Sequence, residues 1–293
     1  LASAELPARH GPIEEMTVTE TTGGSRLAEP APSRTPRIAP SVPVAIGVFV
    51  AYVVVFIGLT STSGIAYDHF FDSGANAFRA AVLPLIGGSL VLVVFVLWAR
   101  WDWVFRDPER LPMTGFLRVT LGLFVLAIIT HFAVVDWAQA NGGVLLAIVT
   151  AGLLVGFAEE TMFRGIVLRG LRTNLRPEAW AMLISSVWFG FFHLTNLANG
   201  SPAGAVLTQC VQASLLGVVL YLFRRVRGIL LLGMIAHGVW DMSTFLHAKT
   251  GDTVAFTSLA VQVLVVLLAL ISTIILIRRD RKVAVTSTGV LTL

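Results

Sequence analysis

The amino-acid sequence predicts an all-α, polytopic integral membrane protein of about eight transmembrane helices with both termini cytoplasmic. Three observations carry that prediction. First, the 293 residues are 56% hydrophobic and only 13% charged, about half the charged fraction of an average soluble domain. So few polar groups cannot cover a soluble fold of this size, which excludes a water-soluble globular enzyme and a disordered protein alike. Second, eight apolar segments of 19–25 residues follow one another along the chain, each long enough to cross a hydrocarbon core of roughly 30 Å at about 1.5 Å per residue. Third, eighteen Lys and Arg fall on one side of those segments and only Arg79 and Lys249 on the other, the bias of cytoplasmic loops.

Residues 1–41 are rich in Pro, Ala, Ser, Thr and Glu and lack an apolar run, as expected of a disordered cytoplasmic tail without a signal-peptide core. The membrane domain is expected over 42–277, with spans at 42–60, 80–99, 115–135, 144–168, 179–198, 204–223, 229–247 and 254–277. In lipid the backbone must satisfy its own hydrogen bonds, and twenty apolar residues without alternation exclude barrel strands. Arg100, Arg106 and Arg110 mark the second connection, Arg169, Arg172 and Arg176 the fourth, and Arg224, Arg225 and Arg227 the sixth. Residues 278–293 form a short basic cytoplasmic tail. Trp98, Trp101, Trp103, Trp137 and Trp180 flank spans, where indoles favour the headgroup region. The single cysteine, Cys210, excludes internal disulfides and reads as a small core residue. The basic residues form no stripe, so the partner they imply is the lipid bilayer and not nucleic acid.

Few charges fall inside the spans. Arg118 sits near a cytoplasmic end and can snorkel outward. Glu159, Glu160, Arg164 and Asp241 cannot, and each would cost roughly 2.5–3.5 kcal/mol facing lipid, so they must face the bundle interior. Counting from the cytoplasmic edge places Glu159 about 15 Å deep, His193 about 21 Å, His237 about 14 Å and Asp241 about 20 Å. Three helices thus deliver ionisable groups to one midplane layer. Glu160 and Arg164, Phe189 and His193, and His237 and Asp241 are each spaced i,i+4, on one helix face. Gly152 and Gly156 leave room for a neighbouring helix to approach closely.

The chemistry open to this set is limited. There is no G-x-S-x-G, no H-E-x-x-H and no glycine-rich phosphate loop. A carboxylate with an imidazole can activate water as a general base, and a second imidazole with a hydrogen-bonding neighbour can stabilise an oxyanion. No cofactor is expected, because no ligand spacing resembles a zinc-binding helix. A divalent metal held by Glu159, Glu160, His193 and His237 is the alternative. A transporter or proton relay, or a non-catalytic scaffold, would use the same residue types.

At these residues the sequence resembles a known family. Gly156-Phe157-Ala158-Glu159-Glu160-Thr161-Met162-Phe163-Arg164-Gly165 is similar to the E-E-x-x-x-R motif of the CPBP membrane proteins, which include the type II CAAX prenyl endopeptidases and the bacterial Abi proteins. Phe189 to His193 resembles the family's F-x-x-x-H, and His237 to Asp241 its H-x-x-x-N/D. The resemblance covers about residues 145–245. It implies a glutamate-dependent intramembrane protease, acting on a protein or peptide at the membrane and expected in a bacterial plasma membrane. Glu159 would be the general base assisted by His193, with His237 and Asp241 forming the oxyanion site. Glu160 and Arg164 would be a structural ion pair, and Phe189 packing beside the site. Asp241 stands where Asn also occurs; it either donates a hydrogen bond when protonated or orients His237.

Overall fold

The computed structural model describes residues 35–107, 110–139, 141–175, 177–247 and 254–289; most of the expected N-terminal tail, Arg176 and Lys249 lie outside them. Among the described residues the chain is helical, with no strand. The helices are α1 (Val42–Thr62), α2 (Gly74–Ala99), α3 (Gly115–Ala133), α4 (Gly142–Arg172), α5 (Glu178–Asn199), α6 (Ala203–Arg227), α7 (Leu230–His247) and α8 (Val254–Gly289). Seven are long and apolar enough to cross a membrane. The remaining one, α7, has 18 residues, about 27 Å of helix. The basic segment after 277 continues α8 as helix to Gly289.

Local chemistry sets the helix ends. Ser41, Thr114 and Asn141 precede α1, α3 and α4, and each side-chain oxygen accepts a backbone N–H of the first turn, satisfying donors that a helix start leaves open. α5 begins after Pro177, and its Ala179 N–H donates instead to Asp280 of α8 at 2.8 Å. α6 stops at Gly228, whose φ of 68° is left-handed; a Cβ there would strike the Asp107 carbonyl oxygen.

Successive helices run up and down, so the bundle has two distinct ends. At one end Arg37 N–H donates to Ala99 O, Trp101 Nε1 to Ile38 O, and Asp107 N–H to Gly228 O. This end gathers the start of α1 with the α2–α3, α4–α5 and α6–α7 connections. At the other end Gln209 of α6 reaches Tyr67 of the α1–α2 connection, and Phe71 stacks on Phe245 of α7. Large apolar side chains such as Val54, Leu97, Leu146 and Leu153 point outward, as a lipid-facing surface requires.

Two expectations about connections change. Trp101 and Trp103 are buried, Trp101 bound to Ile38, whereas Trp98, Trp137 and Trp180 are exposed as interfacial anchors would be. Arg169, Arg224 and Arg225 are also buried, because the α2–α3 connection folds inward over them. The expected glycine approach is present. A Cβ on Gly152 would come within 2.8 Å of the Gly238 carbonyl oxygen, and one on Gly156 within 3.0 Å of Gly238 N. α4 and α7 therefore meet backbone to backbone, which sets their polar residues side by side.

Candidate active site

The site begins with an irregularity in α4. From Glu160 to Val167 the helix widens to π geometry, which offsets backbone carbonyls from their usual partners. Neighbouring helices take up two of them. Ser185 Oγ donates to Phe163 O at 2.8 Å, and Arg224 Nη1 donates to Arg164 O. The turn that carries the two glutamates is thus held by α5 and α6, as buried backbone acceptors require.

Glu160 and Arg164 form a fully buried ion pair, Nη1 to Oε1 at 2.8 Å. His237 donates Nδ1–H to the same Oε1 at 3.1 Å, since a carboxylate only accepts. The other ring nitrogen, Nε2, lies 3.7 Å from both Glu159 Oε2 and Asp241 Oδ2. The adjacent glutamates therefore address opposite sides of one imidazole. The residue orienting His237 is Glu160, while Asp241 stands beyond hydrogen-bond distance of Nε2.

Phe189 ties the parts together. Arg164 lies over its ring at 4.4 Å, and both His193 and His237 meet it edge-on, with centroids 5.3 and 5.4 Å away. It packs against both imidazoles and the guanidinium at once. His193 lies where α5 tightens from α- to 3₁₀-helix. Its Nδ1 lies 3.2 Å from Phe189 O; a carbonyl only accepts, so Nδ1 carries the hydrogen and a neutral His193 keeps a lone pair on Nε2.

A cavity of about 620 Å³ opens beside this cluster, lined by Glu159, Phe189, His193, His237 and Asp241 but not by Glu160 or Arg164. Glu159 faces it only 7% exposed, with Oε2 lacking a hydrogen-bond partner within the protein. Among the described residues no three His, Cys, Asp or Glu side chains are set to hold a metal ion. The four expected catalytic residues thus border one space, with Glu160 and Arg164 behind it.

Sequence reasoning left out several residues of the same wall. His131 is buried on Ser243 at 3.1 Å and lines the cavity. Asn196 donates to Gln209 Oε1 at 2.8 Å, and Gln209 donates to Tyr67 OH at 3.4 Å; all three line the cavity. Burial pushes the Tyr67 hydroxyl pKa up despite its bond from Gln209, and the nearby Asp241 and Glu159 carboxylates add to the rise. The available signal was the side-chain amides of Asn196 and Gln209 within two largely apolar spans.

A second polar cluster lies at the other end of the bundle. Asp107 Oδ2 meets Arg172 at 3.0 Å and Arg224 at 3.2 Å, while Glu178 meets Arg172 at 2.6 Å and Arg225 at 3.0 Å. Tyr221 donates to Glu178, and Arg169 donates to the Trp103 and Arg106 carbonyls. Burial alone would raise the Asp107 carboxyl pKa; the guanidiniums of Arg172, Arg224, Arg225 and Arg169 overcome it and hold the group well below the usual carboxylate range.

A helical bundle of membrane-spanning segments with carboxylates and imidazoles gathered at a buried cavity defines a class, the polytopic membrane proteins with an intramembrane polar site. Comparison with known proteins narrows that class. Residues 141–243 match the family model of type II CAAX prenyl endopeptidases, Rce1-like, and carry every expected site residue. The match covers about a third of the chain and agrees with the resemblance of its three motifs to the CPBP membrane proteins. No curated protein and no solved structure matches the chain.

Proposed function

We propose that the protein is a glutamate-dependent intramembrane endopeptidase of a bacterial plasma membrane, cutting a peptide bond of a protein or peptide substrate. One observation carries the reading. Of two adjacent buried glutamates, Glu160 binds Arg164 and His237 through Oε1 and lies off the cavity, while Glu159 lines the cavity with His237 Nε2 3.7 Å from its Oε2. A water beside Glu159 gives up a proton to that carboxylate as its oxygen attacks the scissile carbonyl. His193, with Nδ1–H committed to Phe189 O, holds the water through Nε2.

The resulting oxyanion is met by His237 and Asp241. Nδ1 of His237 is bound to Glu160, so its imidazolium form presents Nε2–H as the donor. Asp241 flanks the same nitrogen and donates when protonated. The proton on Glu159 then passes to the leaving amine as the C–N bond breaks, which restores the carboxylate. Glu160, Arg164 and Phe189 position these groups.

Purified wild type and Glu159→Gln, compared for cleavage of membrane peptides from the source cell, test the proposal. The variant should lose activity by about 10²–10⁴-fold with an unchanged melting temperature. Unchanged cleavage would sink the proposal. Activity that disappears with a chelator and returns with stoichiometric metal would establish the metal-dependent alternative. Proton flux driven by substrate without cleavage would establish a transporter.

A further inference from the structure

The cavity is open at one end of the bundle and sealed at the other. Toward the open end its wall is polar, with Tyr67, Asp68, Thr195, Asn196, Gln209 and Gln212 on the α1–α2 connection, the end of α5 and the first turns of α6. Asp68 both lines the cavity and has a side chain 77% exposed, so the space reaches the surface there. Behind Glu159 the way is shut. Glu160, Arg164, Met162, Phe163 and Ile166 are buried without lining the cavity, and the Asp107–arginine cluster closes the end beyond them.

The two ends also differ in exposed charge. Setting aside the arginines that the cluster buries, Arg37, Arg100, Arg106, Arg110, Arg227 and Arg278 remain exposed at the sealed end. Among the described residues, Arg79 is the basic residue at the open end. Positive loops stay cytoplasmic, so the open end faces away from the cytoplasm. Among the described residues the cavity wall carries the carboxylates Asp68, Glu159 and Asp241 and the imidazoles of His131, His193 and His237, with no Lys or Arg. A free C-terminal carboxylate would meet three carboxylates there and no lysine or arginine among the described residues, whereas a neutral or basic chain is not repelled by them.

We propose that the site is fed from the non-cytoplasmic face, and that its substrate is a neutral or positively charged polypeptide segment exposed on that face. The inference rests on the protease reading for what happens to the segment, but the route and charge of entry are properties of the cavity alone. The test therefore reads accessibility and not proteolysis. In a Cys210→Ala background, Thr195→Cys places a thiol on the cavity wall, and Arg227→Cys places one at the sealed end.

Intact cells are treated with membrane-impermeant methanethiosulfonates, one cationic and one anionic. Thr195→Cys should react in intact cells, and Arg227→Cys only after permeabilisation. At Thr195→Cys the cationic reagent should react about tenfold or more faster than the anionic one, relative to free thiol, as a carboxylate-lined cleft concentrates cations. Reaction at Thr195→Cys only after permeabilisation, or none at all, would overturn the route. Equal rates, or a faster anionic reagent, would overturn the charge preference. Loss of cleavage in Glu159→Gln bears on neither result, so failure of the protease reading and failure of this inference remain distinguishable.

Discussion

Around His237, two glutamates, an arginine and an aspartate surround one imidazole beside a cavity. Around Asp107, four arginines, a second carboxylate and a tyrosine close on one another and border no part of that cavity. Both clusters are buried and both are joined by ion pairs, so burial of charge alone does not mark function. What differs is access to the cavity. At the Asp107 end guanidiniums bind carboxylates and the carbonyls of Trp103, Val104 and Arg106, pinning the α2–α3 connection onto α4 and α6. At the His237 end Glu159, His193, His237 and Asp241 line the cavity. A clamp keeps its polar groups away from that space, and a site brings them to it.

The comparison breaks most sharply on activity. Glu159→Gln should abolish cleavage while leaving the protein folded, whereas Asp107→Ala should do the reverse. Removing Asp107 leaves arginines buried without their shared partner, a cost of about 3–5 kcal/mol, read as a lowered melting temperature in detergent. Whatever fraction stays folded should cleave normally per folded molecule. If Asp107→Ala instead kept its stability and lost turnover, the two regions would be one functional unit. The clamp also carries a pH signature. The folded Asp107 carboxyl is depressed, so its stabilising contribution is complete above its unfolded value of about 3.9 and declines as pH falls below it; Asp107→Asn should flatten that slope.

Glu160 sits on the boundary between the two behaviours. It neutralises Arg164 as a clamp residue would and orients His237 as a site residue would. Glu160→Gln keeps an acceptor for Nδ1 but removes the charge, a loss of roughly 1.5 kcal/mol for one charge-assisted bond. Turnover should fall about tenfold with KM little changed, and the melting temperature should fall as well. A variant that lost stability alone would assign Glu160 to the clamp. One that lost turnover alone would assign it wholly to the site.

The fold was readable because twenty apolar residues have one stable solution in lipid, and the site because charges in such runs must turn inward. Ionisable residues at matching depth on three spans predicted that Glu159, His193, His237 and Asp241 would meet, and all four line one cavity. The clamp was not readable. Arg169, Arg224 and Arg225 stand beside apolar runs as loop arginines do, and their partners lie 47 to 117 residues away. Nothing local distinguishes an arginine that anchors topology from one folded under a connection. His131, Asn196, Gln209 and Tyr67 escaped for a related reason. None carries a charge that apolar surroundings would force inward, and only the packing of α3, α5 and α6 around one space makes them a wall.

The smallest expected effect concerns Asp241, and it separates two roles that the distances leave side by side. Its carboxylate lies 3.7 Å from His237 Nε2, while the orienting bond to Nδ1 is already made by Glu160 at 3.1 Å. An orienting role for Asp241 is therefore redundant, and a role as hydrogen-bond donor to the oxyanion is not. Asn donates without needing a proton, so Asp241→Asn should retain activity within about tenfold and lose any dependence on Asp241 protonation. Asp241→Ala removes the donor and should cost about 10²–10³ in kcat, the typical loss of one oxyanion contact. The comparison is made on kcat against pH for the three proteins. If Asn were as damaging as Ala, the negative charge of Asp241 would be the working feature. Its place would then lie with the ion pairs that hold His237, on the clamp's side of the division.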